Sequence, residues 1–204
     1  MSTNGGKDFY WSNTGFAAIC ATGKIRFNVN NPNLISISSQ DYNGGFSTDG
    51  GKTWTYVPYG ENSWGGFTYG SYCIDAQTTV VGLAESWTSP RYICVARNGG
   101  KDIERTTIEI KGSEIGMGVV GDENVVFMGE WRSTDKGTTW EDMSQGHGEG
   151  CTGVFFSDGT TGRLWGSNKY NVVYSDDKGA TWTKFSVFAD GVKDMAVNTE
   201  TGVL

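Results

Sequence analysis

The 204-residue chain holds 31 Gly but only 3 Pro, is 13% aromatic with eight Trp, and carries a net charge of −7 with a single His. So many large rings exclude a disordered chain, which lacks apolar side chains to bury, and the scarcity of Pro excludes collagen-like or Pro-rich linker sequences. No apolar run nears the ~20 residues of a membrane helix, and no basic stripe offers a track for phosphates, so neither membrane insertion nor a nucleic-acid partner is expected.

The amino terminus, Met1–Lys7, shows neither a basic n-region nor an apolar h-region, so it does not read as a signal peptide. Its Ser2-Thr3-Asn4-Gly5-Gly6-Lys7-Asp8-Phe9 is the first, worn copy of an octapeptide that recurs along the chain. Full copies are Ser47-Thr48-Asp49-Gly50-Gly51-Lys52-Thr53-Trp54, Ser133-Thr134-Asp135-Lys136-Gly137-Thr138-Thr139-Trp140 and Ser175-Asp176-Asp177-Lys178-Gly179-Ala180-Thr181-Trp182. Ala96–Ile103 keeps only the turn residues. Starts at 2, 47, 96, 133 and 175 give a period of about 43 residues, the spacing of four short strands per propeller blade. The octapeptide has its own chemistry. A short Asp side chain locks the turn by accepting backbone N–H groups, Gly supplies a positive φ, Thr resumes extended chain and Trp offers a ring to bury.

Between the octapeptides, alternation predicts four strands per blade and no helix. Blade one takes Ile25–Asn30, Leu34–Gln40, Gly45–Thr48 and Thr53–Val57. Blade two takes Gly70–Asp75, Thr79–Ala84, Tyr92–Ala96 and Arg105–Ile110. Blade three takes Gly116–Val120, Asn124–Gly129, Trp131–Thr134 and Thr139–Met143, and blade four Gly153–Ser157, Leu164–Ser167, Val172–Ser175 and Thr181–Ser186. A further inner strand is expected at Gly191–Val197, with Thr201–Leu204 opening another. The expectation is therefore an all-β propeller of about five blades filling residues 1–204. Its last blade is incomplete, closed by the two termini, or completed by a larger parent chain or a neighbouring subunit. Trp54, Trp140 and Trp182 should lie buried between blades.

The octapeptide resembles the Asp-box, or BNR repeat, S/T-x-D-x-G-x-T-W, of the propeller superfamily that includes sialidases and endo-xyloglucanases. That resemblance implies that Asp49, Trp54, Asp135, Trp140, Asp177 and Trp182 are scaffold, in turns between third and fourth strands. The ligand then belongs on the opposite face, where second and fourth strands end.

There the second-strand exits read Ser39-Gln40-Asp41-Tyr42, Leu83-Ala84-Glu85-Ser86-Trp87, Met128-Gly129-Glu130-Trp131 and Ser167-Asn168-Lys169-Tyr170. Asp41, Glu85 and Glu130 are expected at one structural position, ringed by Tyr42, Trp87, Trp131 and Tyr170, with Trp64 from a fourth-strand loop. Carboxylates accept hydroxyl hydrogen bonds and rings cover the C–H faces of a pyranose, so an oligo- or polysaccharide is the expected partner. Asp41–Ser47 also resembles the D-x-G-G-f/y-x-S segment of endo-xyloglucanases, with one residue more before the Gly pair. It implies a catalytic role for Asp41, with Glu85 or Glu130 as the second carboxylate of an inverting pair. Sialidases need an arginine triad, and the six arginines include no F-R-I-P motif.

The reading that follows is a glycan-binding module, placed outside the cell, at the cell surface or on a virion. The alternatives are a β-glucan or xyloglucan hydrolase and a structural module of a larger assembly such as a phage tail. His147, alone among glycines, reads as a solvent-exposed loop residue. Cys20, Cys73, Cys94 and Cys151 have no metal-ligand spacing and read as small buried hydrophobes, so no metal or cofactor is expected.

Overall fold

A computed structural model describes residues 2–11, 14, 25–39, 44–59, 67–187, 192, 195 and 196. They are all-β, built as four antiparallel sheets of four strands, each in sequential order, as blades of a propeller whose ring the described residues do not close. Blade 1 comprises β1 (Ile25–Phe27), β2 (Ile35–Ser38), β3 (Gly44–Ser47) and β4 (Thr55–Val57). Blade 2 comprises β5 (Phe67–Cys73), β6 (Thr79–Ala84), β7 (Arg91–Arg97) and β8 (Asp102–Ile110). Blade 3 comprises β9 (Gly116–Val119), β10 (Asp122–Met128), β11 (Trp131–Ser133) and β12 (Glu141–Asp142). Blade 4 comprises β13 (Gly153–Ser157), β14 (Leu164–Ser167), β15 (Asn171–Ser175) and β16 (Thr183–Val187). Every strand expected in these four blades is present. Asp41, Tyr42, Trp64 and most of the expected strand at 191–197 lie outside the described residues.

The octapeptide turns share one hydrogen-bond network. The Ser hydroxyl donates to the Asp carboxylate at 2.7–2.8 Å in all three full copies. That same Ser oxygen accepts the N–H of Gly51, Gly137 or Gly179, each at 2.8 Å. The Asp carboxylate then accepts both the N–H and the hydroxyl of Thr53, Thr139 or Thr181. Two consecutive residues take positive φ in four copies, from Lys136 (56°) and Gly137 (81°) to Gly5 (70°) and Gly6 (83°) in the worn first one, and three do so at Asn98–Gly100. The last of them is Gly throughout, because side chains resist that backbone conformation, and at Gly100, Gly137 and Gly179 a Cβ would also meet the preceding blade. This network also explains why the outer strands start late. The Thr N–H is committed to the carboxylate and cannot join the ladder, so β4, β12 and β16 begin two residues beyond the expected position.

The core is three blade–blade interfaces. Phe46, Val57 and Leu34 of blade 1 meet Val81, Leu83 and Cys94 of blade 2. Val80, Ile93, Val95 and Ile110 meet Val126 and Met128 of blade 3. Phe127, Val125 and Met117 meet Val154, Leu164, Val173 and Trp182 of blade 4. The second strands β6 and β14 are buried along their whole length, whereas β1 exposes Ile25 and Phe27. Each fully buried aliphatic or aromatic side chain contributes ~1.5–3 kcal/mol. Of the octapeptide tryptophans only Trp182 is buried; Trp54 and Trp140 are half-buried, which corrects the expectation that all three fill blade interfaces. Cys73, Cys94 and Cys151 are buried free thiols, and burial pushes the latter two up to about 12.

At the centre, β1 ends earlier than expected because Asn28 turns the chain. Its side-chain amide donates to the carbonyls of Cys73 and Ile74 in blade 2 at 2.8 and 2.9 Å, while its Oδ1 accepts the N–H groups of Asn30 and Asn31. Asn30 reaches blade 3: its amide donates to the Val119 carbonyl at 2.9 Å and its Oδ1 accepts the Gly121 N–H at 2.7 Å.

Candidate functional site

Octapeptide turns join third to fourth strands, so second-strand exits lie at the other end of each blade. The hairpins there differ in length. Blade 3 uses a two-residue turn, Gly129–Glu130, with Met128 directly opposite Trp131. Blade 2 uses a six-residue connection, 85–90, between β6 and β7. Glu85 and Glu130 therefore do not occupy one structural position.

Glu130 is 4% exposed, its carboxylate accepting the N–H groups of Lys111 and Gly112 at 2.7 and 2.8 Å. It pins the loop after β8 and is not a member of an exposed carboxylate ring, which corrects the sequence expectation. Its neighbour Trp131 is half-buried and donates its indole N–H to the Glu109 carbonyl. Trp87 and Tyr170 are exposed, at 78% and 47%, and the Lys169 ammonium sits 4.9 Å from the Tyr170 ring centroid. Tyr59, just after β4, and Tyr72, in β5, are core residues. His147 is not a free loop residue either. Its Nδ1 lies 3.0 Å from the Ala180 carbonyl and its Nε2 3.6 Å from Glu141.

Glu85 remains at the surface and lines a pocket of about 170 Å3 with Leu83, Tyr92, Ile93, Cys94, Arg105 and Thr106. It lies at a register shift. Between Tyr92 and Cys94 the β7–β8 ladder slips, and Thr106 bridges the gap by donating its hydroxyl to the Ile93 carbonyl while accepting the Ile108 N–H. Arg105 is held by an Nε–H bond of 2.9 Å to the Tyr59 carbonyl. Beside the pocket, the Tyr59 hydroxyl is buried with no hydrogen-bond partner among the described residues, and burial pushes its pKa well up, with Cys94 and Cys73 adding to the effect. The site thus combines one acid, one guanidinium and an exposed phenol ring over an apolar floor. Arg105 and Tyr92 escaped sequence reading because a ladder slip has no local signature. Among the described residues no cluster of His, Cys, Asp or Glu is arranged to hold a metal ion.

No protein-family profile and no curated protein matches the chain. Solved structures do. The GH74 enzyme of Niastella koreensis superimposes with a TM-score of 0.55 at 19% identity over 78% of this chain and 23% of that one. The GH74 xyloglucanase of Xanthomonas campestris gives a TM-score of 0.54 at 16% identity over 82% and 31% respectively. YCF48 from Cyanidioschyzon merolae gives 0.44 at 14% identity over 78% and 54%. The chain spans about a quarter to a third of the two GH74 proteins. At such identities the likeness is one of fold: the four sheets are β-propeller blades.

Proposed function

We propose that this chain is a carbohydrate-binding Asp-box propeller module, with its ligand at the end of the blades opposite the octapeptide turns. The observation that carries this reading is the blade-2 pocket, where Glu85, Arg105 and Tyr92 converge above Leu83 and Ile93. It is smaller than the roughly 300–1,000 Å3 of sites for drug-sized ligands, a size suited to one sugar ring of a longer chain. The carboxylate and guanidinium offer an acceptor and donors to hydroxyl groups, and the Tyr92 ring offers a face to C–H groups. Trp87, exposed two residues beyond Glu85, extends the surface for a neighbouring sugar. Such a module works outside the cell, at its surface or on a virion.

Binding is favoured over hydrolysis because an inverting reaction needs one carboxyl protonated and another free to activate water. Glu130 is committed to two backbone N–H groups, which leaves Glu85 and Asp41 as the pair for the alternative reading, favoured by the GH74 names of the neighbours. Titration with xyloglucan and β-glucan oligosaccharides, followed by Trp fluorescence, tests both. A response lost in Glu85→Gln and Trp87→Ala without new reducing ends supports the module. Reducing ends abolished by Asp41→Asn support the hydrolase, and silence toward every glycan leaves a structural module of a larger assembly.

A further inference from the structure

The blade-2 pocket is built in two layers. Its floor is Leu83, Ile93 and Cys94, none more than 4% exposed. Its rim is Glu85, Tyr92, Arg105 and Thr106. Strand pairing sets the arrangement: Leu83 faces Tyr92 across β6 and β7, and Cys94 faces Arg105 across β7 and β8. Tyr92 and Cys94 are two residues apart on β7, so both pairs project from one side of the sheet.

The floor offers no strong hydrogen bond. Leu83 and Ile93 are hydrocarbon, and burial pushes the Cys94 thiol up to about 12, with Arg105 pulling it down and Glu85 pushing it further up. The thiol is therefore neutral and acts as a small hydrophobe, and both rim charges are felt at it. Thr106 adds no donor, because its hydroxyl already donates to the Ile93 carbonyl at 2.8 Å. Apart from the Tyr92 phenol, polar recognition falls to the Glu85 carboxylate, which only accepts, and to Arg105, which only donates. Arg105 spends its Nε–H on the Tyr59 carbonyl. With about five N–H groups on a guanidinium and about four lone-pair sites on a carboxylate, both can hold a ligand beside their protein partners.

A plain hexose suits this rim but not this floor. Each hydroxyl pressed onto Leu83 and Ile93 would leave water without a new partner, which is unfavourable. A methyl group gains from the same transfer. An acetamido substituent carries such a methyl, together with one donor and one acceptor on opposite edges of a planar group. That is the complement of Glu85 and Arg105 above an apolar floor.

We propose that the blade-2 pocket selects sugars bearing an N-acetyl group. The acetyl methyl sits on the Leu83–Ile93–Cys94 floor, the amide N–H donates to the Glu85 carboxylate, and the amide carbonyl accepts from the Arg105 guanidinium. The Tyr92 ring, 38% exposed, covers the C–H face of the same sugar. This assignment rests on the carbohydrate-binding reading and narrows it to one substituent.

Calorimetric titration of the whole chain with N,N′-diacetylchitobiose and with cellobiose, which share one linkage and differ at C2, tests it. The acetylated sugar is expected to bind about tenfold tighter or more, from one buried methyl and two charge-assisted hydrogen bonds. An N-formyl analogue, lacking only the methyl, should bind roughly fourfold more weakly than the N-acetyl sugar. In saturation-transfer NMR the acetyl methyl should receive the strongest signal from the unsubstituted protein. Glu85→Ala, at an exposed position, should abolish the preference without moving the urea midpoint, whereas Tyr92→Ala should weaken both sugars alike. Equal affinity for the two disaccharides overturns N-acetyl selection and leaves a carbohydrate module standing. So does a preference that survives in Glu85→Ala. Silence toward both, and toward xyloglucan and β-glucan oligosaccharides, removes this inference and the carbohydrate-binding reading together.

Discussion

The interfaces of blades 2 and 3 and of blades 3 and 4 use the same octapeptide, with the same bonds, to different ends. In blade 4 the ring of Trp182 is 2% exposed and meets Phe127 edge-on, at 6.2 Å between centroids. In blade 3 the ring of Trp140 is half-buried and its indole N–H turns back to the Gly137 carbonyl. The cause lies in the loop arriving from the preceding blade. Residues 144–152 after β12 lay His147–Glu149 along Trp182, whose N–H donates to the His147 carbonyl and whose carbonyl accepts the Glu149 N–H. The shorter connection after β8 makes no such cover and is anchored inward by Glu130. The octapeptide therefore fixes a turn, while a different stretch of chain decides whether its Trp joins the core.

The largest expected effect tests that division directly. Trp182→Ala should cost ~3–5 kcal/mol in urea unfolding, as large aromatic truncations do, and Trp140→Ala less than about half as much. Equal losses would break the comparison. Next come the two loop anchors. Glu130→Ala leaves two N–H groups without their charged acceptor and should cost ~1.5–3 kcal/mol, whereas His147→Ala, which loses one bond to a carbonyl, should cost ~1 kcal/mol. The reverse order would mean that the longer loop carries the interface.

Acid should affect both interfaces together. Bonds from the Thr53 hydroxyl and N–H and the Ser47 hydroxyl hold Asp49 down from its ordinary 3.8 to about 2. Burial by itself would raise Asp135 and Asp177, but the bonds from Thr139 and Thr181 outweigh it and lower both. Carboxylates depressed in the fold add stability above their unfolded pKa and lose it as pH falls toward the folded value. Melting temperature should thus hold above about pH 5 and fall between about pH 4 and pH 2. Asp135→Asn and Asp177→Asn should each flatten part of that fall. The smallest effect belongs to the ion pairs that staple turn to blade, Lys136–Asp75 at 2.8 Å and Lys178–Asp122 at 2.7 Å. Lys136→Met and Lys178→Met should each cost under ~0.5 kcal/mol, and less in high salt, because these pairs are partly exposed.

What could be read from sequence was whatever is local. The octapeptide is a set of bonds among eight neighbouring residues, so it appears as a motif, and alternation located all sixteen strands of the four described blades. Strand ends were misjudged where side chains capture backbone groups, at Asn28 and at the three octapeptide Thr residues. Glu85 was found in a pocket, but Glu130 was misplaced because hairpin length sets height on a blade and the octapeptide spacing does not report it. Arg105 and Tyr92 meet only through a ladder slip. The exposure of Trp140 depends on a loop from another blade. The misses at Arg105, Tyr92 and Trp140 involve contacts between separate strands or loops, whereas those at the strand ends come from short-range side-chain bonds that alternation does not register.

Asn30 bears on how the molecule comes apart. An array of repeats that touch only their immediate neighbours behaves as a one-dimensional lattice, and its stability is a sum of unit and nearest-neighbour terms. With both polar ends of its side chain on blade 3, Asn30 adds a next-nearest-neighbour coupling from blade 1 across blade 2. Blades 1 to 3 should then melt as a single cooperative unit while blade 4 frays from it independently. Asn30→Ala would let that unit separate, and a broadened or split calorimetric transition would be its signature.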